Sequence, residues 1–222
     1  MCGRFTRTQT WAEVVAFSRL PMAVDAPELA PSWNIAPSQP VAAVVHAPER
    51  GFVGVQARWG LKPAWATRAG AAPINARADS VAAKPFFRDA FRKRRCLVPA
   101  DGWYEWVVAD DGKQPHYVLR ADGAPVFFAG VWEPPGGAAE LPTLAIVTTD
   151  AAEELGDLHA RQPVVLAEND WADWLTLPGE ARTALEDMLQ PLSPGTFVHF
   201  PVSRRVNTPH NDGEALIEPL PG

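Results

Sequence analysis

The chain has 222 residues, 47% of them hydrophobic and 21% charged, with a formal net charge of −6. That composition is ordinary for a globular protein, and the length suits one domain over residues 1–222 with a sizeable core. No run of about 18 apolar residues occurs, and no basic segment followed by an apolar run opens the chain, so neither a membrane span nor a secretory leader is expected.

In chain order, "TQTWAEVVAFSRL" has helical spacing, with Trp11, Val14, Val15 and Phe17 on one side and Thr10 as N-cap. The Pro-rich "APELAPSWNIAPSQP" reads as mostly loop. "VAAVVH" and "FVGVQARWG" read as two strands of a hairpin joined by "APERG". "AAKPFFRDAFRKRR" reads as a short helix with its basic end at the C-terminus, where the dipole favours cations. Strands are predicted for "RCLVPADGWYEWVV", "PHYVLR", "PVFFAGVWE" and "LPTLAIVTT". "DAAEELGDLHA", "DWADWLTL" and "EARTALEDMLQ" read as helices, and "GTFVHFPVS" as a late strand. Many strands with scattered short helices and few βαβ units point to an α+β fold, with a compact, partly closed, mainly antiparallel sheet.

Two cysteines, Cys2 and Cys96, make no disulfide framework, and a reducing cytosol is the expected setting. Cys96 reads as a buried structural thiol. Charge is unevenly spread: residues 1–120 hold 16 Lys and Arg against 10 Asp and Glu, and residues 121–222 hold 4 against 16. The asymmetry allows a basic face on an acidic protein, or simply a dipolar surface. The run "RKRR" at 92–95 is either a solvated face or a track for phosphates. The five His and two Cys show no metal-ligand spacing, and no phosphate-binding or dinucleotide glycine motif occurs, so no metal and no cofactor is expected.

Four short segments hold candidate chemistry. In "MCGRF", Cys2 is either a small buried hydrophobe or, once Met1 is removed, an N-terminal 1,2-aminothiol. Its α-amine would titrate at about 7.7–8.0 and its thiol near about 8.5. Such a pair condenses with an aldehyde to an imine and then closes to a five-membered thiazolidine. In "INARADS", Asn75 and Arg77 share a face if the segment is extended; the amide can orient an amine and the guanidinium can hold a phosphate. In "PADGWYEW", Glu105 stands between Tyr104 and Trp106, where desolvation would raise its pKa toward an acid/base value. In "LHARQPVVL", His159 and Arg161 offer a proton carrier and a further phosphate ligand. Each segment alone also has a plain structural reading.

The ordered set "MCGRF", "WNIAPSQ", "RWGLKPAW", "INARADS", "RCLVPADGWYEW", "FFAGVWE", "TTDA", "LHARQPVVL" and "VSRRVN" resembles the SRAP family (SOS-response-associated peptidase) from residue 2 to about residue 212. The resemblance implies a barrel-like core of mainly antiparallel strands with flanking short helices, and an acidic, loop-rich C-terminal end at about 203–222. It implies a DNA-damage function: binding single-stranded DNA at abasic sites and crosslinking covalently to them. By the same resemblance, Cys2 is the crosslinking residue after Met1 removal, Asn75 orients it, Glu105 is the acid/base carboxylate and His159 assists at the deoxyribose. Arg77 and Arg161 grip phosphates, Arg4 shares their surface, and Pro40 and Trp106 pack against flanking bases. The family name suggests an alternative, a cysteine peptidase or hydrolase with Cys2 as nucleophile, including removal of its own Met1. A monomer in the cytoplasm, nucleoid-associated when bound to DNA, is expected. Two positions depart from the family pattern: Gln162 where Met is usual, and Asp79 where Glu is usual.

Overall fold

The computed structural model describes residues 2–22, 29–66, 72–110, 112–136 and 140–221. Twelve strands and five short helices are present among them: β1 (Phe5–Arg7), α1 (Trp11–Ser18), β2 (Ser32–Ile35), β3 (Pro40–Ala47), β4 (Gly51–Trp59), β5 (Asn75–Arg77), α2 (Ala78–Val81), α3 (Arg88–Lys93), β6 (Arg95–Ala100), β7 (Gly102–Ala109), β8 (Gly112–Arg120), β9 (Val126–Glu133), β10 (Thr143–Asp150), β11 (Arg161–Pro163), α4 (Trp171–Thr176), α5 (Arg182–Asp187) and β12 (Phe197–Pro201). The fold is α+β with a mainly antiparallel core, as the strand-rich sequence predicts. No helix among the described residues is long and apolar enough to cross a membrane.

The strands form two sheets. One runs β12-β8-β7-β1-β2, antiparallel throughout. In the other, β4, β3, β6, β9 and β10 pair in succession, and β10 returns to β4 in parallel, so the ring closes. Strand β10 runs beyond the ring and takes β5 on one edge and β11 on the other.

Alternation sorts the side chains. Val41, Ala43, Val45, Val98, Leu144 and Ile146 fill the interior with Phe5, Trp59, Trp103 and Phe128. The intervening residues Val44, Leu97, Ala145 and Val147 face a second cluster, covered by the helices through Val14, Phe91, Trp171 and Trp174. Strands β3, β6, β9 and β10 are therefore largely buried on both faces and read in sequence as near-continuous apolar runs, whereas β4 keeps one face partly exposed. A third cluster, Tyr104, Tyr117, Val202, Val206 and Leu216, lies on the outer face of the five-stranded sheet beneath the C-terminal segment.

Helix α1 begins as its sequence dictates. Thr10 accepts from the Glu13 N–H, and Glu13 accepts from the Thr10 N–H, a reciprocal capping box.

Several expectations are corrected. The Pro-rich stretch (its residues 26–28 lie outside the described residues) is mostly loop as expected, but it also contains a short strand, β2, recruited by pairing with β1. "RCLVPADGWYEWVV" is two strands, not one: β6 joins the ring and β7 the other sheet, with the break at Asp101. At that break a Cβ on Gly102 would sit 2.4 Å from the Val118 carbonyl oxygen, so only glycine lets β7 and β8 close there. "DAAEELGDLHA" forms only a 3-10 turn at Glu153–Leu155; Leu155 and Leu158, three apart, are the residues it buries, matching the tighter period.

Candidate active site

Strand β1 runs antiparallel beside β7, with Phe5 opposite Trp103, and Tyr104 N–H donates to the Arg4 carbonyl at 3.0 Å. This carries the start of the chain to Glu105. Strand β5, held parallel to β10 with Asn75 opposite Ile146, brings a second side chain in. Asn75 Nδ2 donates to the Cys2 carbonyl oxygen at 2.8 Å, while Asn75 Oδ1 is buried with no hydrogen-bond partner among the described residues.

Glu105 is 4% exposed. Burial pushes its carboxyl up to about 6, and the positive amino terminus partly offsets that rise. Both protonation states are therefore populated near neutrality. Cys2 is fully buried, and burial first, then the Glu105 charge, pushes its thiol well above the usual range. Met1 lies outside the described residues. In this unprocessed chain the Cys2 nitrogen is a peptide amide, so neither of its nucleophiles is in a reactive state.

A cavity of about 490 Å³ lies over this region, lined by Arg4, Glu105, Trp106, Lys113, His159 and Asn207. His159 Nδ1 stands 2.9 Å from the Arg161 backbone nitrogen and 3.2 Å from its carbonyl oxygen, so either tautomer of the neutral ring has a partner there. Desolvation, then the positive amino terminus, lowers the His159 pKa and favours that neutral form.

Arg4 is only partly available to a ligand. Its Nη1 donates to Asn34 Oδ1 at 2.6 Å and to the Val206 carbonyl at 2.7 Å. Its guanidinium lies 5.9 Å from the Trp106 ring centroid, and Trp106 Nε1 donates to Asn207 Oδ1 at 2.7 Å. Asn34 Nδ2 reaches the carbonyls of Val206, Thr208 and Asn211. Arg4 and Asn34 thus fasten the C-terminal segment to the cavity wall. Sequence reasoning missed Asn34, Lys113 and Asn207; the quoted motifs "WNIAPSQ" and "VSRRVN" contain two of them, but local pattern gives no sign that they meet.

The remaining predicted residues stand apart from this cavity. Arg77 is half exposed and makes a two-pronged ion pair with Asp79. Arg161 lines a neighbouring cavity of about 330 Å³ with Asp79, Thr148 and Asp150. Its Nη2 donates to the Thr148 carbonyl at 2.6 Å, and its Nε is buried without a hydrogen-bond partner among the described residues. Burial, then the Arg77 charge, lowers the Arg161 pKa, so the two guanidiniums are close enough to repel, and an anion between them would relieve that repulsion. Pro40 lies elsewhere, opening β3 beside Gln39 and Val41.

Three of the four cations at 92–95 have partners within the protein. Arg92 pairs with Glu180, and Arg94 pairs with Glu133 at 2.6 Å. Arg95 is buried and donates to the carbonyls of Phe91, Arg92, Trp174 and Leu177, closing the end of α4. Cys2 and Cys96 are both free thiols.

A sequence profile described as SOS response associated peptidase (SRAP) matches residues 1–209. The chain is 34% identical to the abasic site processing protein YoqW of Bacillus subtilis, over 98% of this chain and 99% of that one. It is 33% identical to the abasic site processing protein YedK of Escherichia coli, over 99% and 100%. Among solved structures, a protein from Bacteroides thetaiotaomicron superposes with a TM-score of 0.83 at 21% identity, covering 99% of this chain and 100% of that one, a likeness of fold.

Proposed function

The chain belongs to the SOS response associated peptidase (SRAP) family, and we propose that it processes abasic sites in single-stranded DNA by crosslinking to them through Cys2 once Met1 is removed. The observation that carries this reading is the convergence of Asn75 and Glu105 on Cys2, beside a cavity that His159 also lines.

The chemistry follows from the groups present. Protonated Glu105 donates to the ring oxygen of the abasic sugar and favours the open aldehyde. The freed Cys2 amine, held by Asn75, attacks C1′, and water leaves as the imine forms, with His159 moving the proton. The thiol then adds across the C=N bond: sulfur bonds to C1′ and its hydrogen goes to nitrogen. The resulting thiazolidine removes the imine that would permit strand cleavage by β-elimination. Asn75 Oδ1, a buried acceptor without a hydrogen-bond partner among the described residues, complements an amine donor. Arg77 and Arg161 supply the phosphate contacts, with Pro40 and Trp106 against neighbouring bases.

The raised thiol pKa argues for an amine-first order and against a hydrolase in which the thiolate strikes first. The test is a denaturing gel of Met1-free protein incubated with an abasic single-stranded oligonucleotide. A heat-stable adduct that disappears in Cys2→Ala supports the reading; no wild-type adduct, or an undiminished one in Cys2→Ala, overturns it.

A further inference from the structure

The inner face of the five-stranded sheet carries a polar row. Glu105 on β7 and His116 on β8 are directly opposite, so their side chains share a face. Trp103 and Val118, the neighbouring opposed pair on that face, are buried in the main core. On β12, His199 lies opposite Val118, and its Nδ1 stands 3.2 Å from His116 Nδ1. Three titratable groups thus cross three adjacent strands, from a buried carboxylate to the edge of the sheet, on a face otherwise built of Trp103, Val118 and Phe197.

A contact between two Nδ1 atoms needs one N–H donor and one bare acceptor, so the two rings hold opposite tautomers. His116 Nε2 makes no hydrogen bond among the described residues. Cβ atoms of an opposed pair lie about 4.5–5.5 Å apart, near enough for a water to bridge the two side chains. Of the other charged groups on the packed elements, Lys113 on β8 lines the cavity, and Glu154 Oε2 is buried without a hydrogen-bond partner among the described residues. Glu154 Oε1 accepts from the Gly195 and Phe197 N–H groups, and Arg204 Nε donates to Gln114 Oε1. Burial, then the His199 charge, lowers the His116 pKa, which keeps the pair from holding two positive charges.

We propose that His199 and His116 form a proton relay that reloads Glu105 from solvent along β12, β8 and β7. This rests on the crosslinking reading, in which Glu105 gives up a proton while the sugar fills the cavity that otherwise connects it to water. A solvent proton binds His199 Nε2, and the His199 Nδ1 proton crosses to His116 Nδ1. The His116 Nε2 proton then passes to the Glu105 carboxylate. One proton enters, one is delivered, and both rings end in the other tautomer, set for transfer in the opposite direction.

The experiment is single-turnover crosslinking of Met1-free protein to an abasic single-stranded oligonucleotide, with DNA affinity and melting temperature measured in parallel. His199→Ala slows the adduct about tenfold at pH 7.5 with affinity unchanged, and added imidazole restores the rate. His116→Phe is equally slow and gains nothing from imidazole, because the middle of the row is filled. A His199→Ala rate within twofold of wild type, or a slow rate that imidazole does not lift in a variant that melts normally, overturns the relay. Failure of the wild type to form any adduct defeats the crosslinking reading itself, and the relay with it.

Discussion

Asn75 Nδ2 donates a 2.8 Å hydrogen bond to the carbonyl oxygen of Cys2 across 73 residues of sequence. The bond fixes the second residue of the chain against β5, where an unpinned terminus would ordinarily fray. A nucleophile on a fraying end would sample many orientations, and orientation is a large part of what the reaction needs.

Asn75→Ala removes the donor. Crosslinking is expected to slow by about tenfold or more, because a displacement of the order of 1 Å at the reacting group is costly. The lost hydrogen bond itself is worth only about 1 kcal/mol of stability. Single-turnover rates beside oligonucleotide affinity check this: an unchanged rate, or a loss explained wholly by weaker binding, counts against the positioning role.

Glu105→Gln separates stability from chemistry. The folded carboxyl titrates at about 6, above its ordinary 4.5. The folded chain keeps this proton where the unfolded chain has lost it, so stability falls as pH rises through that window. The difference amounts to about 2 kcal/mol. Gln carries no such cost. The variant should equal or trail wild type at pH 4.5, exceed it by about 1–2 kcal/mol at pH 8, and crosslink about a hundredfold more slowly. Urea midpoints at the two pH values measure the first effect, and parallel profiles would exclude it.

Lys113→Ala tests whether the exposed lysine on the cavity wall meets phosphate. Arg4, Arg77 and Arg161 each have hydrogen bonds within the protein to exchange or share, whereas Lys113 lines the cavity with no ion pair among the described residues. Removing one phosphate contact should lower the slope of log affinity against log salt by about 0.7 for a single strand. Filter-binding or anisotropy titrations at several salt concentrations report it. A slope equal to wild type removes Lys113 from the interface.

Asn34→Ala cuts the fastening between Arg4 and the C-terminal segment. Its side chain accepts from Arg4 and donates to three backbone carbonyls. Loss of this buried network should destabilise the fold by about 2–3 kcal/mol and expose residues 204–212 to protease while β3 and β4 stay protected. Limited proteolysis with mass mapping checks the location; uniform susceptibility would place the damage elsewhere.

Much of this was legible because it is local. Thr10 and Glu13 are three residues apart, so their capping box is readable from four letters. The β3–β4 hairpin announces itself by two apolar runs and a turn. The tendency of Glu105 toward a raised pKa follows from its aromatic neighbours in sequence, and burial is the leading cause in the structure. The division of "RCLVPADGWYEWVV" between two sheets was not legible, because both halves are apolar and alternate alike. The decision lies in partners at β9 and β8.

By itself, then, the sequence determined the residue types that can react, the faces they take on each strand, the strand-rich class and, through the order of its motifs, the family. Only the tertiary structure decided which charges are spent. Arg95 looks like surface in "RKRR" yet is consumed by carbonyls up to 82 residues away. Arg4 is shared with Asn34 and Val206, and His116 meets His199 across 83 residues. Hydrogen bonds and desolvation act over a few ångströms of space, and separation along the chain carries no record of that distance until the sheets have formed.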